Sequence, residues 1–180
     1  EMRGAALVYQ YTKDEALYSV LTEAVKKLLA TQDEYGRIAT YSVEKEFNGW
    51  DMWCRKYVMT GLQHYYRICK DEKLKSDIIS ALCRHADYII SKIGDGEGRR
   101  KITETSSWWG CVNSCTILEP MLELFKETGE IRYKDFAEYI ISMGGSSDCN
   151  FLELALENKL MPYQYPVVKA YETMSYFEGL

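Results

Sequence analysis

Three segments of this chain repeat one another, and that self-similarity limits the folds open to it more than any other feature. Tyr9-Gln10-Tyr11-Thr12-Lys13-Asp14-Glu15, Tyr66-Arg67-Ile68-Cys69-Lys70-Asp71-Glu72 and Phe125-Lys126-Glu127-Thr128-Gly129-Glu130 begin 57 and 59 residues apart. Downstream, Ala86-Asp87-Tyr88-Ile89-Ile90-Ser91 returns as Ala137-Glu138-Tyr139-Ile140-Ile141-Ser142. A unit of nearly sixty residues is long enough for two helices. In each unit a largely apolar helix ends at a tight Lys-Asp-Glu or Thr-Gly-Glu turn, where Gly129 suits a left-handed cap, and a more amphipathic helix follows. The repeat is an αα-hairpin.

Periodicity agrees. Apolar residues recur at spacings of three and four, strand-like alternation is scarce, and only 3 prolines occur, so the chain is expected to be all-α. From Asp71 to Lys92, Leu74, Ile78, Leu82, His85, Ala86 and Ile89 form one stripe, with Lys75, Asp77, Arg84 and Asp87 mostly off it. Trp109 to Phe125 is apolar nearly all round, as in a helix enclosed by neighbours. Pro120 within it either kinks that helix or sits in its first turn.

At 180 residues with 47% hydrophobic content, the chain makes one domain over 1–180 with a single core. Its net charge of −5 argues against nucleic acid as partner. No run approaches the roughly 18 apolar residues of a membrane span. A water-soluble protein of cytoplasm or periplasm is expected, and its start at Glu1-Met2-Arg3-Gly4 reads as that of an excised piece.

The connections are unequal. Turns near Asp14, Asp71 and Gly129 are short, whereas segments 33–49, 94–107 and 143–166 exceed the usual helix–helix loop and must gather at the opposite end of the hairpins. Tyr35, Tyr41, Phe47, Tyr163 and Tyr165 lie in these loops, with Trp50, Trp53, Trp108 and Trp109 at the helix starts they feed. Tryptophans at equivalent places in successive repeats are expected to converge on a pocket rim. Sugar rings stack on such faces, and Asp51, Lys56, Tyr57 and Asn113 are the candidate partners for their hydroxyls. Trp50, Asp51, Tyr57, Trp109, Asn113 and Tyr171 are expected in one concave region.

Other groups have plainer readings beside the chemical ones. Glu44, Glu46, Asp51, Glu104 and Glu172 are the carboxylates near the loop-rich end, and acid/base chemistry by a pair of them needs a set separation that sequence does not supply. Each alone reads as a solvated charge. Asp51 and Glu172 sit beside aromatics at the start of inner helices, as ligand contacts or as helix caps. Cys111 and Cys115, four apart, could share a helix face, but two ligands do not make a zinc site. Buried packing thiols are the simpler reading. His85, on the apolar stripe, reads as a core histidine, and His64 stays open between packing and contact. Ser106-Ser107 and Ser146-Ser147 lack a paired His. No cofactor and no metal site is expected, and the catalytic groups stay unassigned.

Two-helix units with all long loops at one end are the construction of the (α/α)6 toroid, of which three units make about half. Thr31-Gln32 to Tyr35-Gly36, Thr40-Tyr41, Trp50-Asp51-Met52-Trp53, Lys56-Tyr57-Val58 and Gly61-Leu62 to Tyr65-Tyr66 resemble the opening segments of glycoside hydrolase family 127. This family includes β-L-arabinofuranosidases and many bacterial relatives. Leu118-Glu119-Pro120-Met121, Thr128-Gly129-Glu130 to Arg132-Tyr133, and Ala170-Tyr171-Glu172 to Phe177-Glu178-Gly179-Leu180 extend the likeness over essentially the whole chain. The resemblance implies a carbohydrate-active protein that cleaves arabinofuranoside-type or other plant-type glycosidic bonds, as a partial catalytic domain. It places the acid/base Glu and the zinc-bound Cys nucleophile of the family beyond Leu180. Where many relatives carry His before the Lys-Tyr pair, this sequence has Arg55, so no histidine contact is carried over there.

The substrate-binding candidates are therefore Trp50, Asp51, Lys56, Tyr57, Trp108, Trp109, Asn113, Tyr171 and Glu172, with an oligosaccharide or glycoside as partner. Two rival readings stand beside a hydrolase fragment: a non-catalytic carbohydrate-binding or structural half-toroid, and another toroid enzyme such as an unsaturated uronyl hydrolase or sugar epimerase. The apolar edges of a half-ring are expected to be covered, by a second copy in a homodimer or by a C-terminal half.

Overall fold

The computed structural model describes all 180 residues. Helical segments, short 3-10 turns included, cover 66% of them, and there is no strand. The repeat is realised as hairpins. Helix α1 (Met2–Thr12) turns into α2 (Glu15–Leu29), α3 (Asp51–Ile68) into α4 (Glu72–Lys92), and α6 (Leu118–Thr128) into α7 (Ile131–Ser142). The turns have the expected chemistry. Asp14 Oδ1 accepts hydrogen bonds from the Ala16 and Leu17 amides, and Asp71 Oδ1 from those of Lys73 and Leu74, so each aspartate satisfies two orphan donors of a helix start. Gly129 closes α6 in the left-handed region, at φ 73°.

The first helix of each hairpin lies inside and the second covers it. Helix α1 packs on α3, α3 on α6, and α6 on α9 (Ala170–Phe177), while α2, α4 and α7 back α1, α3 and α6. One core of 31 buried residues joins the layers, including Met52, Met59 and Leu62 of α3, Ile78, Leu82 and Ile89 of α4, and Met121 and Leu124 of α6. His85 is fully buried on the apolar stripe of α4, where its Nδ1 accepts from the Ile38 amide. Burial above all, with Arg55 adding to it, pushes its pKa down to about 3, so it is a neutral core histidine.

The third inner helix corrects the sequence reading. In place of one helix from Trp109, a 3-10 turn (Trp109–Cys111) leads into the four-residue α5 (Val112–Cys115), and α6 begins only at Leu118. Pro120 takes its place in the first turn of α6. It has no N–H to give the Thr116 carbonyl, so an unbroken ladder from Trp109 cannot pass it. Upstream, Trp109, Gly110 and Cys111 all have positive φ, at 47°, 58° and 64°. A second correction falls in segment 143–166, which is not all loop. It contains α8 (Phe151–Glu157), capped by the Asn150 side chain and ended by Asn158 in the left-handed region.

The long connections do meet at one end. Arg100 donates to the Phe47 carbonyl at 2.8 Å, Asn113 Nδ2 to the Gly49 carbonyl at 2.9 Å, and the Ser147 amide to the Gly110 carbonyl at 2.8 Å. Segments 33–49 and 94–107 and the start of 143–166 are thereby tied together where α3 and α5 begin.

Candidate functional site

Aromatic side chains from three elements form a continuous wall at this end. Trp108 and Trp109 are 5.8 Å apart between ring centroids, Trp109 and Trp50 5.4 Å, and Trp50 and Trp53 5.8 Å. Trp53 then meets Tyr57 at 5.4 Å and Tyr171 at 5.5 Å. Most of these contacts are edge-to-face, the arrangement ring quadrupoles favour. All 4 tryptophans of the chain belong to the wall. Trp50, Trp53 and Trp109 are half-buried, and the ends of the wall, Trp108 and Tyr171, are 47% and 62% exposed. Helix geometry explains the contribution of α3, since positions 50, 53 and 57 recur on one face. Trp109 arrives differently, swung toward Trp50 by the left-handed turn.

Cations lie on the wall. The Lys169 ammonium sits 3.9 Å from the Trp109 ring centroid, and that of Lys56 5.6 Å from Trp53 and 5.4 Å from Tyr57. Lys56 is buried, hydrogen-bonded to the Ser175 hydroxyl and 3.6 Å from Glu119 Oε2. Burial lowers its pKa, and the Glu119 and Glu178 carboxylates oppose that shift. The hydroxyls of Tyr57 and Tyr171 share a hydrogen bond. Burial, then this bond, raises the Tyr57 pKa, so it works as a neutral phenol. Lys56, Tyr57, Tyr171 and Ser175, with Arg3, Met174 and Glu178, line a cavity of about 370 Å³ beside the wall, the size of a small-ligand site.

Two candidates stand behind the wall. Asp51 is fully buried: Oδ2 accepts from the Phe47 amide at 2.8 Å and pairs with Arg55 Nε at 2.9 Å. Arg55 also reaches Glu46 Oε2 at 2.9 Å, and Glu46 in turn Arg37 at 3.0 Å. Asp51 thus anchors loop 33–49 to the start of α3 through Oδ2, while its buried Oδ1 has no partner. Asn113 is placed likewise: it is fully buried, its Nδ2 donates to the Gly49 carbonyl, and its Oδ1 has no partner. Glu46, read as a solvated charge, belongs to this network, whereas Glu44 and Glu104 are exposed. Glu172 is 8% exposed in the first turn of α9 and has no hydrogen-bond partner.

The cysteine pair does not suit a metal. Cys111 and Cys115 sit on different elements, and Cys111 Sγ donates to the Ser106 carbonyl at 2.7 Å. Burial raises both thiol pKa values, the opposite of what a thiolate ligand needs. No third His, Cys, Asp or Glu joins them in a metal-holding group.

Sequence reasoning missed Lys169, Ser175 and the Arg37–Glu46–Arg55 chain. The one available signal was the four-residue spacing of Asp51 and Arg55, which favours pairing on a helix. Lys169 and Ser175 reach the site only through the path of segment 143–166, which has no periodicity to read.

The profile of the β-L-arabinofuranosidase catalytic domain of glycoside hydrolase family 127 matches residues 1–169. No curated protein matches the sequence. Among solved structures, the fold is similar to that of a family 127 β-L-arabinofuranosidase from Geobacillus stearothermophilus, with a TM-score of 0.58 and 16% sequence identity. The match covers 92% of this chain and 26% of that one, so the chain spans about a quarter of the length of that enzyme. The hairpins are accordingly part of an (α/α)6 toroid. With residues 1–169 matched, this chain belongs to the β-L-arabinofuranosidase catalytic-domain family of glycoside hydrolase family 127.

Proposed function

We propose that this chain, as a single domain over 1–180, forms about half of a toroidal catalytic domain that hydrolyses an arabinofuranoside-type or other plant-type glycosidic bond, and that the aromatic wall is where it holds the sugar. The observation that carries this reading is the convergence of every tryptophan of the chain on one wall, beside a cavity lined by a buried lysine, two phenols and a serine. Apolar ring faces suit the C–H surface of a sugar, and adjacent polar hydrogens and lone pairs suit its hydroxyls. Trp50, Trp53, Trp108, Trp109 and Tyr171 supply stacking surface in this reading, and Lys56 and Tyr57 supply hydrogen bonds. Glu172, beside Tyr171 in sequence, is the carboxylate of the set that stands next to the wall without an ion-pair partner.

Of the carboxylates around the wall, Asp51 is paired with Arg55, Glu119 with Lys56 and Glu178 with Arg3, which leaves Glu172 as the one without an ion pair; a glycosidase needs a second group beside such a carboxylate. The cleaving groups are proposed to come from a covering partner, either the C-terminal half of the toroid or a second copy. Apolar side chains at both edges support a cover: Leu7, Val8, Tyr11 and Val20 on α1 and α2, and Val168 and Met174 around α9, are all more than 45% exposed. Turnover of an aryl arabinofuranoside, measured on residues 1–180 alone and on a longer form of the protein, tests this. Activity is expected only in the longer form or in a stable dimer. Hydrolysis by a monodisperse monomer of 1–180 would contradict it, and sugar interconversion or cleavage of an unsaturated uronide in place of hydrolysis would favour the rival toroid chemistries.

A further inference from the structure

The inner face of α3 continues past the aromatic wall. At the helical spacing that places Trp53 and Tyr57 in the wall, the same face next presents Thr60, His64 and Arg67. These three, with Gln63, meet Arg3 of α1, Glu119 and Glu123 of α6, and Glu178 around a cleft of about 270 Å³ that has no hydrophobic residue in its lining. Arg3 and Glu178 also line the cavity beside the wall, so the two spaces adjoin.

The groups in this cleft are unequally satisfied. Arg3 pairs with Glu178 at 2.8 Å, and Arg67 with Glu123. Thr60, a residue of the lining, is 2% exposed and its hydroxyl has no partner; Glu119 Oε2, also buried, accepts no hydrogen bond and has the Lys56 ammonium 3.6 Å away, while Oε1 lies 3.7 Å from Arg3. A buried hydroxyl without a partner costs free energy unless something binds it. His64 is half-buried and makes no hydrogen bond to the protein. Burial, followed by the charges of Arg3 and Arg67, lowers its pKa, so the neutral ring offers one donor and one acceptor. Two arginines against three glutamates leave the lining close to electroneutral, which disfavours a strongly charged ligand. Free donors and acceptors side by side match hydroxyl groups, each of which is both.

We propose that this cleft is a second sugar subsite, which takes the further ring of a neutral oligosaccharide whose first ring lies against the aromatic wall. Thr60, His64 and Glu119 provide its hydrogen bonds, and Gln63, held by the Pro120 carbonyl at 2.9 Å, fixes its floor. The proposal rests on the carbohydrate reading of the wall.

The chain has 2 histidines and 4 tryptophans, which makes the two sites separately visible. Titration of 15N-labelled protein with methyl arabinofuranoside, and with arabinofuranosyl oligosaccharides of two to four rings, should be followed by tryptophan fluorescence and by the imidazole 15N resonances. The single ring is expected to alter fluorescence alone. The oligosaccharides should also shift His64 while buried His85 stays still, and should bind at least tenfold tighter than the single ring. Thr60→Val should remove most of that gain and leave the affinity for the single ring unchanged; Thr60→Ser should restore it. Oligosaccharides that change fluorescence but leave His64 unmoved would overturn the subsite alone. Silence of both probes would overturn the wall and the subsite together.

Discussion

The second and third hairpins are built on one repeated pattern, yet they deliver their tryptophans by different means. Helix α3 runs unbroken for 18 residues, and a buried chain of charges, Asp51–Arg55–Glu46–Arg37, fastens the preceding loop to its start. In the third hairpin the inner helix is broken, and the loop is held by close backbone approach. Gly110 sits where a Cβ would lie 2.2 Å from Ser146 Oγ, and its carbonyl accepts from the Ser147 amide. The two routes converge, with Trp50 and Trp109 5.4 Å apart. The same helical repeat therefore tolerates very different loop anchors, provided the ring positions at the rim are kept.

The comparison breaks most sharply at Arg55. Arg55→Ala leaves the buried Asp51 without its counter-charge and Glu46 with Arg37 alone, and a loss of about 3–5 kcal/mol is expected in urea unfolding, as for other severed buried pairs. In the third hairpin, Gly110→Ala forces a Cβ into Ser146 at positive φ. About 2–4 kcal/mol is expected from left-handed strain plus overpacking, with a change in tryptophan emission because Trp109 is next in the chain. A mutant as stable as the parent would mean that this turn is not what holds the third loop.

The hairpins also differ in how they respond to pH. His85 of α4 is held neutral with its pKa at about 3, so below its unfolded value of about 6.5 the unfolded state binds more protons, and its contribution to stability is lost as pH falls toward 3. Glu127 of α6 has the opposite sign. Burial raises its pKa to about 7, so it favours the folded state below its unfolded value of about 4.3, and that contribution is lost as pH rises through 7. Urea midpoints from pH 4 to 8 should show a shallower acid arm for His85→Gln and a gain above pH 7 for Glu127→Gln. The same pH profile in both variants and the parent would contradict the two assignments. The smallest effect is expected at Pro120→Ala. First-turn position makes the proline compatible with α6, so its loss should cost only about 0.4–1 kcal/mol, through a freer unfolded chain.

Much of this architecture is legible in the sequence because its causes are local. Asp14, Asp71 and Gly129 announce the tight turns through capping chemistry, and the 57- and 59-residue offsets announce the hairpins. The wall is legible too, since Trp50, Trp53 and Tyr57 share a helical face and Trp108 and Trp109 occupy the matching place one repeat later. The break at Trp109–Cys111 is not, because two of its three left-handed residues are not glycine and only tertiary contacts hold them there. Nor is the inward turn of Asp51 and Asn113. Polar residues beside a cluster of tryptophans look like ligand contacts, and their partners here, Arg55 and the Gly49 carbonyl, are known only once placed in space. Helix α8 escaped because seven residues are too few to establish a period.

Because all 4 tryptophans lie in the wall, tryptophan emission, excited apart from that of the tyrosines, reports on that site. Titration of the chain with an arabinofuranosyl oligosaccharide should give a saturable change in tryptophan emission, with the apparent Kd rising at least tenfold in Trp53→Ala, which removes the ring joining Trp50 to Tyr57 and Tyr171. A flat emission across the titration, or a saturable change that Trp53→Ala leaves untouched, would contradict the assignment of the wall as the sugar-holding surface.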